Sequence, residues 1–216
     1  QNPVDLKDLR SNDEIQRQLE ASIQELGFHY RRKRMDASPK TTDISAGTAA
    51  EALLAVWRHA PHQAKFLTRE HFGKLYGHIF PPDVNGAQVV VAVLLYRIAE
   101  NHRRRPTDAD PTLVRYASCF IAMRMGQHLL HELGKELSAL NHQNFEAAKK
   151  LVDARAEAYF RDAVKDVESA LQDLYGQKEV STLQLSATFR RGDLIQKLLA
   201  LPLTQKQELA GRETSA

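Results

Sequence analysis

Apolar residues recur mainly at three- and four-residue spacing along this chain, and Gly and Pro are sparse. The pattern predicts a mainly α, irregular multi-helix bundle of roughly seven helices, with at most a small β element near residues 28–33. Ile15, Leu19, Ile23 and Leu26 mark one face of a helix over 13–26, with Asn12 or Asp13 to cap it and Gly27 to stop it. Phe28 to Lys33 alternates aromatic and polar residues and suits a short strand or extended arm. A second helix is expected from Asp43 or Ser45 through Trp57, a short piece around Ala64, and another over 68–80 that Pro81-Pro82 ends.

Asn85-Gly86 before Val89-Val90-Val91 looks locally like a hairpin turn entering a strand. The apolar residues nevertheless continue through Leu94, Leu95 and Ile98, so a buried core helix over 84–104 is the better reading. Leu113 to Leu140 reads as one long central helix despite Gly126 and Gly134, each costing about 1 kcal/mol relative to alanine. From Phe145 to Tyr175 an unbroken stripe of Ala, Val, Tyr and Leu faces a charged side. After Gly176 the pattern predicts an irregular segment, then a short helix from Gly192-Asp193 through Leu199 and a frayed tail over 211–216. Residues 1–210 therefore read as a single helical domain.

The 216 residues, 43% hydrophobic, are enough to bury a core without staples. Cys119, the only cysteine, lies in an apolar run and excludes an internal disulfide, so a cytoplasmic location is the default expectation. The longest apolar stretch, Ala87 to Tyr96, falls well short of the ~20 residues a bilayer span needs. Thirty basic residues against 27 acidic leave a net charge of +3, which alone does not mark a nucleic-acid binder; local clustering matters more.

Two clusters stand out. Tyr30, Arg31, Arg32, Lys33 and Arg34 alternate aromatic with cationic groups, as a surface that stacks a base and meets phosphate would. Arg103, Arg104 and Arg105 end the core helix, where they equally suit the negative end of the helix dipole. Both are candidate contacts for DNA or RNA. His128, His131 and Glu132 share a helical face but do not follow zinc-protease spacing, so they read as a structural pair and no metal ligand set is assigned. There is no nucleophile elbow and no phosphate-cradling glycine loop. Asp43, Glu100, Asp108 and Asp110 lack the strand-borne scaffold on which a metal-dependent nuclease gathers carboxylates with a lysine. No catalytic residue and no cofactor is assigned, and the chain by itself reads as non-enzymatic.

The chain opens Gln1-Asn2-Pro3-Val4-Asp5-Leu6 without an initiator methionine, which leads us to expect the later part of a longer protein. This opening, Gly27-Phe28-His29-Tyr30-Arg31-Arg32-Lys33, the Ala49 to Ala55 helix, Pro61 to Phe66 and Leu75 to Phe80 resemble the C-terminal portion of the abortive infection phage resistance (AIPR) family. Arg31 stands where the commoner family form has glutamate before Arg-Lys. The resemblance implies a helical C-terminal module in bacterial antiviral defence, supporting or regulating an upstream, nuclease-like effector domain in response to a phage-derived trigger. The alternative is a self-contained helical nucleic-acid-binding domain. Neither involves a membrane, and the oligomeric state is not fixed by the sequence.

Overall fold

Polar side chains set where most of the helices begin. In the computed structural model, which describes residues 14–32, 40–106, 109–176 and 179–203, Ser45, Thr68, Asn85, Asp110 and Ser181 each accept a backbone N–H from the first turn that follows. The elements run α1 (Glu14–Glu25), β1 (His29–Arg31), β2 (Asp43–Ser45), α2 (Ala46–Val56), α3 (Pro61–Ala64) and α4 (Arg69–Ile79). They continue with α5 (Gly86–Arg104), α6 (Pro111–Leu133), α7 (Phe145–Tyr175), α8 (Thr182–Arg191) and α9 (Ile195–Ala200). The architecture is mainly α. Its nine α-helices among the described residues exceed the roughly seven expected, and the unexpected one is α8, which forms where an irregular segment was predicted.

β1 and β2 make a two-stranded parallel sheet in which Tyr30 sits opposite Ile44. The β element near residue 28 is thus real, and its partner is the stretch expected to begin a helix. Ile44 and Tyr30 are both buried, and Ser45 turns the chain directly into α2. The bundle centres on α6, which packs along α7, α5 and α2, while α5 also packs on α2 and α7. Val89 to Val93 are all buried, so α5 is a core helix, and Asn85 acts as its N-cap rather than as part of a hairpin turn.

Two expectations are corrected. The central helix stops at Leu133 because Gly134 adopts φ 66°, a left-handed cap that ends the intrahelical ladder; a short 3-10 turn, Leu137–Ala139, follows. Gly192, expected to begin a helix, instead caps the end of α8 in the same left-handed conformation. Gly126 has a different reason. A Cβ there would meet Val56 Cγ1 at 2.7 Å and Trp57 Cζ3 at 2.8 Å, so its bare backbone lets α6 close on the end of α2. Among the described residues no helix is long and apolar enough to cross a membrane. The tail over 211–216 lies outside the described residues.

Candidate functional site

Polar groups are scarce in the core, and most of the charged ones gather in two knots. The first surrounds Glu100, on the last turns of α5. Its Oε1 accepts from Lys65 Nζ at 3.2 Å and from Ser118 Oγ at 2.9 Å, and its Oε2 accepts from Arg103 Nε at 2.9 Å. Lys65 also donates to Ser118 Oγ at 2.5 Å. Beside them Tyr96 donates its hydroxyl to Glu51 Oε2 at 2.8 Å. Four segments meet here, from α2, the end of α3, α5 and α6. Burial pushes Glu100 up, but Lys65, Arg103 and Ser118 outweigh it and hold the carboxyl below its ordinary value. For Glu51, burial and the nearby Glu100 win over the Tyr96 hydrogen bond and Lys65, so its carboxyl is raised.

Two carboxyls driven in opposite directions side by side are an arrangement found where proton chemistry or selective binding is needed. They lie under an open groove of about 1030 Å³. One wall is a stripe of α5, Leu94, Arg97, Ile98, Asn101 and Arg104, which helical spacing places on one face. Asp153 and Glu157 of α7 stand on the other side. Arg97 is fixed by donating to the carbonyl of Thr41 at 2.7 Å and to that of Asp43. Ser118 itself is fully buried, so despite its lysine neighbour it cannot meet a substrate as a nucleophile. Cys119 is likewise buried, and burial pushes its thiol up to about 12. Among the described residues no group of three or more His, Cys, Asp or Glu side chains is placed to hold a metal ion.

The second knot is deeper. Arg124, 1% exposed, donates through Nε to Asp166 Oδ2 at 2.6 Å, through Nη1 to Gln127 Oε1 and the Leu198 carbonyl, and through Nη2 to the carbonyls of Leu201 and Pro202. His128 Nε2 meets the same Asp166 oxygen at 2.8 Å. His128 thus turns inward, while His131 is exposed and Glu132 accepts from Tyr159 and Arg155 of α7. Of the three residues that share a helical stripe on paper, His128 and Glu132 both meet Tyr159, one stacked on its ring and one at its hydroxyl, while His131 faces solvent.

With this geometry in view, the family model described as AIPR protein matches residues 1–180. The chain belongs to the AIPR family. No curated protein and no solved structure matches it. Family membership suggests a place in abortive infection and phage resistance. All of the Glu100 knot lies inside the AIPR match, whereas the carbonyls that Arg124 holds lie past its end.

The basic clusters of this AIPR chain fare unevenly. Tyr30 is 4% exposed and gives its hydroxyl to Gln16, so its ring belongs to the core and is not presented for stacking. Neighbouring side chains alternate sides in a strand, which leaves Arg31 exposed. Arg32 pairs with Glu20 at 2.7 Å, and Lys33 and Arg34 lie outside the described residues. Arg103 is engaged by Glu100, while Arg104 and Arg105 are exposed at the end of α5. Among the described residues the structure leaves no Tyr30 ring beside Arg31 for a base to stack on. It brings Arg103 and Arg104 instead to the groove, together with Glu51, Lys65 and Tyr96, which sequence reasoning did not single out.

Proposed function

We propose that this AIPR chain acts in bacterial antiviral defence as a helical module that supports or regulates an effector domain, nuclease-like in character, rather than as a self-contained nucleic-acid-binding domain. The observation that carries this reading is how its cations are spent. Arg32 is paired with Glu20 at the surface, Arg103 with the buried Glu100, and Tyr30 is a core residue. The groove that Arg104 borders also carries Asp153 and Glu157. Those carboxylates reduce, without removing, the groove's attraction for a polyanion, and a nucleic-acid backbone tracking it would have to pass them.

Recovery from native cells tests the reading. The chain is expected in a polypeptide larger than its own 24.4 kDa, or tightly held by an effector, with phage plaquing restored when either part is lost. A free chain that binds labelled oligonucleotides with affinity falling steeply in salt, and weakened by Arg31→Ala with Arg104→Ala, would establish the nucleic-acid-binding domain instead.

A further inference from the structure

The groove above the Glu100 knot has donors to spare. Among its lining groups, Asp153 is paired with Lys149 at 2.8 Å, and Glu157 meets His102 Nε2 at 2.6 Å, a hydrogen bond rather than a fixed countercharge, neither partner belonging to the groove wall. Glu100 is shared between Lys65 and Arg103, one negative charge against two positive. Arg104 and Lys40 line the same groove, exposed, and neither side chain has a carboxylate partner among the described residues. Cations therefore predominate over unanswered carboxylates on this surface. Lys65 has three donors and Arg103 five, of which the Glu100 knot uses two and one. The fork of Arg103 nitrogens beyond Nε, the neighbouring Arg104 and the remaining Lys65 donor suit oxygens of a phosphate, which Arg binds with two parallel hydrogen bonds.

A second feature distinguishes the groove from a bare anion site. Glu51 lines it, with one carboxyl oxygen held by Tyr96 and the other without a hydrogen-bond partner among the described residues. That oxygen calls for a hydroxyl or amino group on whatever lies against it, because a polar group desolvated without a partner is costly. Asn101, exposed between Arg97 and Arg104 on the same α5 stripe, offers both a donor and an acceptor. A volume of about 1030 Å³, at the upper end of ordinary ligand sites, has room for more than an inorganic ion.

We propose that the groove between α5 and α7 binds a phosphorylated small molecule of nucleotide size, its phosphate on Arg103, Arg104, Lys65 and Lys40 and its hydroxyl or amino groups on Glu51 and Asn101. The binding stands independently of the module reading above; only its meaning as a regulatory signal rests on that reading.

Isothermal titration of the purified chain with AMP, ATP, inorganic phosphate and oligothymidylate separates the outcomes. The nucleotides are expected to bind saturably at one site, and inorganic phosphate at least tenfold more weakly, by about the factor that loss of a charge-assisted contact brings. Arg104→Ala, at an exposed position, is expected to weaken nucleotide binding about tenfold with unchanged thermal stability, and Lys40→Ala added to it weakens binding further. No heat with any nucleotide at millimolar concentration overturns the proposal. So do affinity unaffected by these substitutions, phosphate binding as tightly as AMP, or binding of the oligonucleotide alone. A nucleotide that binds while native-cell recovery finds a free chain leaves the site standing and removes the module reading.

Discussion

Replacing Arg124 with Met keeps the unbranched stem about as far as Nε and removes every donor. Arg124 has five N–H groups and the structure gives each a partner: Asp166, Gln127 and the carbonyls of Leu198, Leu201 and Pro202. Leu198 retains a backbone donor, the N–H of Leu201, whereas no other donor to the Leu201 and Pro202 carbonyls is seen among the described residues. Asp166 would be left as a buried carboxylate. Breaking a buried ion pair from one side costs about 3–5 kcal/mol, and since His128 still reaches Asp166 we take the lower end, about 3 kcal/mol. For a chain of this size that lowers Tm by about 6–12 °C.

The loss should be uneven. Amide hydrogen exchange over 195–203 is expected to accelerate first, because Arg124 is what ties the end of α9 to α6 and α7. Arg124→Lys, which keeps the charge but not the fork, should recover part of the stability while leaving 195–203 loosened. Adding Asp166→Asn to Arg124→Met should restore about 1–2 kcal/mol by removing the stranded charge. If Arg124→Met shifts Tm by less than about 2 °C, or exchange over 195–203 is unchanged, the clamp is not what holds the C-terminal helix.

Gly126→Ala forces a Cβ into Val56 and Trp57, so urea unfolding should show a loss of about 1–3 kcal/mol although alanine is the better helix former. Glu100, held below its ordinary carboxyl value of 4.5, contributes stability that is present above that pH and lost as the pH falls through its folded value. Glu100→Gln should therefore cost about 2 kcal/mol near neutral pH and flatten the acid limb of stability against pH, by urea titration from pH 3 to 7. Glu51, raised from 4.5, works the other way: its penalty is absent at low pH and accrues as the pH climbs past the unfolded value. Glu51→Gln should stabilise the chain near neutrality and leave the acid end unchanged. Cys119, buried with its thiol pushed up to about 12, should resist a thiol reagent in the native protein and react once urea unfolds it.

The long helices were legible because their apolar stripes are continuous: Phe145–Tyr175 runs between the very residues the periodicity marks. Short elements were less so. Asp43-Ile44-Ser45 is too brief for alternation to register, and its strand character comes from pairing with β1. α8 has only Leu185, Thr188 and Phe189 buried while Leu183 is 81% exposed, so its apolar stripe is thin and a helix is specified mostly by the Ser181–Gln184 capping box. Gly192 then offers the same letter for a stop as for a start. The groove was hidden for another reason. Glu51, Lys65, Tyr96, Glu100 and Ser118 each look like an ordinary polar position of a separate segment, and only packing makes them neighbours. A usable signal was present elsewhere: Ser118 and Arg124 interrupt otherwise apolar turns of α6, and a polar group on a helix buried all round must find a partner.

Counting donors separates the two knots. The five N–H groups of Arg124 are all consumed by the chain's own acceptors, two of them backbone carbonyls at the very end of the described chain, so its guanidinium has nothing left to recognise a ligand, although His128 Nδ1 beside it is buried without a hydrogen-bond partner. Around Glu100 the accounting does not close: one carboxylate holds Lys65, Ser118 and Arg103, and the surplus donors of two of them open onto a groove that Arg104 and Lys40 also line. Burial follows the same division, complete for Arg124 and partial for Lys65 and Arg103. Partly exposed cations beside a carboxyl whose second oxygen is unclaimed are hydrated in the free protein. Water can fill such places at little cost, which is also what makes them available to a ligand that brings phosphate at one end and hydroxyl groups at the other.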